Sequence, residues 1–157
     1  MAEITTSVPS LLLPLNDVTL LLPNAAVAEV VGYADPQPVA DVPDWLQGLV
    51  HWRGFQLPLV AFEQLMGGGR APEQGRARIA VMNTLNENPD LPFFAMALQG
   101  IPRLLRADGT VVTSAPDGSD RPTGVLCRVL VNGETMLVPD LDAIERMLSE
   151  VSPLPAG

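Results

Sequence analysis

Prolines set the tightest limit on what this sequence can fold into. Sixteen of them, with thirteen glycines, are spread along 157 residues. Proline removes an amide donor and clashes with the preceding helical turn, and glycine costs a helix backbone entropy. Few uninterrupted stretches are left that could hold a long helix. The apolar residues, 47% of the chain with the aromatics included, fall between these interruptions in short runs. Short apolar runs bounded by Pro, Gly, Asn and Asp read as strands. An all-β domain, β-dominated with short helices, follows. Aromatic residues are only 4% of the chain, so aliphatic side chains must fill its core.

The length predicts one domain, with room for two lobes. The net charge is −9, and all nine basic residues are arginines. Such an acidic balance disfavours a nucleic-acid backbone or an anionic membrane surface as partner. The segment Val8 to Val31 is apolar enough to test as a membrane span, but Pro9, Pro14 and Pro23 interrupt it and Leu15-Asn16-Asp17-Val18 is a turn. Direct membrane insertion is not expected. A secretory signal would open on a basic segment, whereas this sequence opens Met-Ala-Glu, so a cytoplasmic location is expected. The single Cys127 cannot form an intramolecular disulfide, and a monomer in isolation is expected.

Taken in order, Ser10 to Leu15 and Val18 to Leu22 are apolar runs joined by Asn16-Asp17. Neither alternates, so each predicts a strand buried on both faces or packed at a lobe junction. Asn24 could cap a short helix over Ala25 to Val31, ended by Gly32. Phe62 to Met66 predicts a helical turn stopped by Gly67-Gly68-Gly69, which opens a flexible loop. Arg76 to Leu85 predicts a strand in which Ile79, Val81 and Leu85 alternate against Arg78, Ala80 and Met82. Leu91 to Leu98 and Ile101 to Leu105 predict strands about a bend at Gln99-Gly100. Asp108 to Pro122, rich in Gly, Pro and Ser, predicts a second mobile loop. Gly124 to Val131, Asn132-Gly133 and Glu134 to Val138 are a hairpin signal. Asp140 should cap a terminal helix with Leu141, Ile144, Met147 and Leu148 on one face. The count is nine or ten strands and three or four short helices, with the domain over residues 8–150 and a disordered tail over 151–157.

The stretch Val42 to Val60 is the most informative. Pro43 suits the first position of a helical turn, and Gly48 could end that turn with a positive φ. Leu49 to Trp52 and Phe55 to Val60 then flank Arg53-Gly54 as a tight hairpin, with Gly54 supplying the positive φ. In that register Trp52 opposes Phe55 and Val50 opposes Leu57 on one face, while His51 and Gln56 share the other. Arg53 stands at the tip. It is the first basic residue of the chain, after Glu3, Asp17, Glu29, Asp35, Asp41 and Asp44.

Catalytic and metal-binding patterns are weak. One His and one Cys, with 75 residues between them, do not make a zinc site. Asp117 to Asp120 is too short for a calcium loop. No Gly-x-Ser-x-Gly elbow exists, and without lysine Gly67-Gly68-Gly69-Arg70 is a loop rather than a phosphate cradle. His51 and Cys127 could in principle pair as base and nucleophile, but each lies in an apolar strand pattern where a structural role is the simpler reading.

The Val42–Val60 stretch resembles the signature of the CheW-like family, the coupling proteins of bacterial chemosensory arrays. The residues carrying the resemblance are Pro43, Trp45-Leu46, Gly48, Leu49 to Trp52, Arg53-Gly54, and Phe55 to Val60 with its central Pro58. Val27 to Gly32, Ala97 to Leu105 and Gly133 to Ile144 are similar to further family segments, in the same order. The family's usual Asn near position 51, its Asp-Leu near 61–62 and its Asp before Gly100 are replaced by His51, Ala61-Phe62 and Gln99. The resemblance implies two small five-stranded β-barrel lobes packed on a shared apolar seam, with no catalysis and no cofactor or metal. It implies a coupling adaptor between the cytoplasmic tip of a methyl-accepting chemoreceptor and the regulatory domain of a histidine kinase, with flagellar or type IV pilus (twitching) output. Glu29, Arg53 and Gly54 map to receptor docking, and Phe62, Gly100 and Ile101 are candidates for the kinase contact. Two other readings stay open at this point: a scaffold or localisation module that engages no receptor, and a small barrel enzyme or ligand binder using His51 and Cys127.

Overall fold

The computed structural model describes residues 8–15, 18–67, 77–84, 91–107, 112–114 and 122–151. Among them are eleven strands, two α-helices and one short 3-10 turn. The polypeptide opens with β1 (Val8–Pro14) and β2 (Thr19–Pro23), an antiparallel pair in which Leu11 faces Leu22 and Leu13 faces Leu20. The Asn16-Asp17 turn itself lies outside the described residues. Asn24–Ala26 form the 3-10 turn, and β3 (Val27–Gly32) follows at once. The helix expected over Ala25 to Val31 is therefore not formed. Val27, Val30 and Val31 are β-branched, and exposed and half-buried residues alternate along the segment with the period of a strand. Pairing with the strand Arg78–Asn83 supplies the backbone partners that a lone helical turn would lack.

The hairpin of β4 (Leu46–Trp52) and β5 (Phe55–Val60) has the expected register, with Trp52 opposite Phe55, His51 opposite Gln56 and Val50 opposite Leu57. Gly48 has the positive φ foreseen for it, +139°, but it does not end a helical turn. It is a bulge inside β4, where the register slips between Leu46 and Gly48. The reason is a strap: Gln37 N–H donates to Leu49 O at 2.8 Å and Leu49 N–H donates to Gln37 O at 2.9 Å. A Cβ on residue 48 would lie 2.3 Å from Gln37 O, so only glycine admits the strap. Pro58 is tolerated in an inner strand because pairing with the strand Phe93–Leu98 begins at Leu59, one residue later.

After α1 (Phe62–Leu65) come β6 (Arg78–Asn83), β7 (Phe93–Leu98), β8 (Arg103–Ala107) and β9 (Val112–Ser114). The chain ends with β10 (Val125–Val131), β11 (Glu134–Pro139) and α2 (Leu141–Glu150). Strand β9 was not expected, since residues 108–122 read as a loop. Pairing of Thr113 with Leu130 and Val112 with Val131 extends the sheet there, and Val112 and Thr113 are β-branched. The triple-glycine loop, Leu85, the 86–90 turn and the 152–157 tail lie outside the described residues.

The strands form two curled sheets. The first has the order β8-β1-β2-β11-β10-β9 and the second β3-β6-β7-β5-β4. The expected two-lobe, strand-dominated fold is present, with six strands rather than five in the first sheet. Its largest core joins the two sheets: Leu13, Leu20 and Leu22 of the first meet Val60, Met82, Phe94, Met96 and Leu98 of the second. Phe62 and Leu65 of α1 and Ile144 and Leu148 of α2 complete it. Each sheet also has its own core on the opposite face, around Leu57, Leu59, Ile79 and Val81 in one and Leu12, Leu21, Val131 and Met136 in the other. Ile79 and Val81 were expected to alternate against Ala80 and Met82. Both sets are buried, in different cores. The α2 helix is capped as foreseen, with Ala143 N–H donating to Asp140 Oδ1 at 3.0 Å. Among the described residues no helix is long and apolar enough to cross a membrane.

The strap explains why residue 48 must be glycine. Gly48→Ala should cost about 2 kcal/mol or more, from the positive φ and the clash with Gln37 O. Thermal melts should show a fall of roughly 4–8 °C for a chain of this size.

Candidate functional site

The tip of the β4–β5 hairpin gathers the chemistry. Arg53 and Gly54 both have positive φ, +46° and +82°. That is the two-residue turn whose twist matches its flanking strands. Glycine adopts it freely, but arginine there costs roughly 1 kcal/mol. A second two-residue turn places Asn132 at the corresponding position, φ +50°, a residue better suited to it. The strain at Arg53 is offset by what its side chain touches.

Arg53 Nη2 donates to Glu29 Oε1 at 3.3 Å, and the guanidinium carbon lies 5.2 Å from the centre of the Trp52 ring. Trp52 Nε1–H donates to the other carboxylate oxygen, Glu29 Oε2, at 2.5 Å. One carboxylate therefore orients both the indole and the guanidinium. The indole hydrogen bond, followed by that of Arg53, holds the Glu29 carboxyl below its usual range, against the opposing effect of burial. Beneath this triad, Phe93 packs edge-on against Trp52 and Phe55 at 4.9 and 5.4 Å between ring centres. Trp52 and Phe55 stack at 6.3 Å.

Glu29 is on β3 and Trp52 on β4, the first and last strands of the five-stranded sheet. The triad thus ties together the two ends of a curled sheet that, among the described residues, no backbone ladder joins. Glu29 was expected on a helix. It reaches Arg53 because it is on a strand at the sheet's edge. Trp52 was not singled out as a site residue, and 23 residues of separation from Glu29 left no local signal for the contact.

The CheW-like domain model matches residues 9–148. The chain belongs to the CheW-like family. Among solved structures it is similar to the scaffolding protein TtCheW from Thermoanaerobacter tengcongensis, with a TM-score of 0.71. The likeness covers 90% of this chain and 89% of that one at 15% identity, and is one of fold. No curated protein matches the sequence significantly.

In this CheW-like chain the remaining candidates fall in different places. Phe62 is 1% exposed in the core between the sheets, so it offers no surface to a partner. Its aromatic ring and position after an apolar strand explain why it packs inward. Gly100 is at the bend after β7, where Gln99 N–H donates to Pro14 O at 2.8 Å, and Ile101 beside it is 69% exposed. His51 lies on the exposed side of β4, its Nε2 3.3 Å from Gln56 Nε2. Cys127 is half-buried on β10 of the other sheet, opposite Val138. The structure does not pair them. Ala61, where the family usually has Asp, precedes α1 without a side-chain cap. Among the described residues no group of three or more His, Cys, Asp or Glu gathers as metal ligands would.

Two expectations follow. Because the folded carboxyl is depressed, the Glu29 contacts are complete above the ordinary carboxylate range near pH 4.3. They are lost only as pH falls below it, through the lowered value. Trp52 fluorescence, measured with Trp45 replaced by Phe, should stay constant from about pH 7 to 5 and change below about pH 4. Glu29→Gln should abolish that transition. In melts, Gly54→Val should cost roughly 1–2 kcal/mol, since a β-branched residue resists positive φ. Arg53→Asn should stay within about 0.5 kcal/mol of the parent, because the exposed ion pair adds little and asparagine suits the turn.

Proposed function

We propose that this chain is a non-catalytic adaptor, coupling the cytoplasmic tip of a methyl-accepting chemoreceptor to the regulatory domain of a chemotaxis-type histidine kinase. It would work on the cytoplasmic side of the membrane, at receptor arrays whose output is flagellar or pilus-linked. The observation carrying this reading is the Arg53 guanidinium, set at a hairpin tip and oriented by Glu29 and Trp52. Glu29, Arg53 and Gly54 correspond to the positions that the family resemblance associates with receptor docking.

The chemistry of the tip suits that role. A guanidinium can bond bidentately to a carboxylate or to backbone acceptors on a helical partner. Fixing it before the encounter lowers the ordering cost of binding. An adaptor also needs a second surface, and the exposed Ile101 beside Gly100 is the candidate for the kinase contact. Phe62, buried in the core between the sheets, is not available for that contact.

Titration of a receptor-tip fragment against the purified protein tests the reading. Arg53→Ala should fold normally and bind about tenfold more weakly or worse, as truncation of an interface arginine costs roughly 2 kcal/mol. Arg53→Glu should bind more weakly again. A well-folded Arg53→Glu protein with unchanged affinity would leave Arg53 a solvated turn residue and remove the basis for this site.

A further inference from the structure

Strand β8 is the outer strand of the six-stranded sheet. It pairs with β1 on one side and, among the described residues, with no strand on the other. Its side chains are unlike those of its neighbour. Leu104 is 79% exposed, although Leu11, paired with it on β1, is 8% exposed. Arg103 and Arg106 are both exposed as well. An open edge bearing an exposed leucine is a template for another strand, and charges on such an edge restrict which strand can add.

Here both charges are positive, in a chain whose net charge is −9. Two β8 edges brought together would gather four guanidiniums with no carboxylate on either strand, and like charges facing each other across strands are unfavourable. The edge therefore disfavours a second copy of itself. It is complementary to a strand of opposite sign.

We infer that the edge of β8 that pairs with no strand among the described residues docks an extended acidic segment of a partner protein, which adds to the sheet as a further strand. Main-chain hydrogen bonds along the edge would supply affinity, and alternate side chains would supply selectivity. The fitting pattern is acidic, apolar, any residue, acidic, facing Arg103, Leu104, Leu105 and Arg106 in turn. The inference does not rest on receptor coupling, because Arg53 is on the other sheet.

The test titrates the full chain with a short labelled peptide of that pattern, built from Glu and Val, and with its counterpart carrying Lys for Glu. Fluorescence anisotropy reads binding, amide hydrogen exchange locates it, and sedimentation reads oligomeric state. The expected result is saturable binding of the acidic peptide below about 1 mM, with slowed exchange at alternate amides of Arg103 to Ala107. Arg103→Glu with Arg106→Glu should weaken it about tenfold and make the Lys peptide the better ligand, which distinguishes lost complementarity from lost folding. Four outcomes would overturn the inference. They are no binding at that concentration, equal binding of both peptides, protection confined to other strands, or self-association through β8 in place of peptide binding.

Discussion

A single apolar layer shared by two sheets is the constraint on which the rest of this structure depends. Leu13, Leu20 and Leu22 from one sheet and Val60, Met82, Phe94, Met96 and Leu98 from the other fill it. Each sheet curls around a second core on its far side. Strands that contribute to both must be apolar on both faces, which is why β1, β2, β6 and β7 lack the alternation of an ordinary half-exposed sheet. The helices act as plugs, with Phe62 and Leu65 at one position and Ile144 and Leu148 at another. Neither sheet can bury its inner face alone, so the two lobes stabilise one another.

That rigid layer lets a small site be precise. The hairpin tip carries an arginine in a conformation better suited to asparagine or glycine, and the arginine is held by a carboxylate that also accepts from Trp52. Strained residues persist where the surroundings determine them. Here the surroundings are Phe55, Phe93 and the edge strand β3. The same triad bridges the two ends of the five-stranded sheet and leaves the guanidinium exposed at the hairpin tip.

The two sheets treat their ends differently. In the five-stranded sheet, the Gln37 strap and the Glu29–Trp52–Arg53 contacts occupy both approaches to β4. In the six-stranded sheet, β8 keeps one side without a described strand partner and carries exposed Leu104 between two arginines. The first arrangement holds the hairpin in place, and the second leaves a strand with exposed side chains at the edge of its sheet. Membership of the CheW-like family, with a fold like that of the TtCheW scaffolding protein, is consistent with a chain that works through its surfaces.

Local chemistry was legible wherever it sufficed. The Arg53-Gly54 and Asn132-Gly133 turns dictated the registers of their hairpins as far as the bulges at Leu46–Gly48 and Val125–Cys127, because a two-residue turn leaves one way to align the strands beside it. Asp140 announced α2 because a carboxylate satisfies the free amides of a first turn. Sequence alone could not decide outcomes that depend on distant partners. Ala25 to Val31 offers alanines to a helix and valines to a strand, and only pairing with β6 settled the competition. Residues Val112 to Ser114 became a strand because β10 was there to receive them. Phe62 turned inward because the gap between two sheets needed its volume. Glu29 met Trp52 because curling brings the ends of a sheet together. Turns and caps are set by neighbours along the chain, whereas edges, closure and burial are set by neighbours in space.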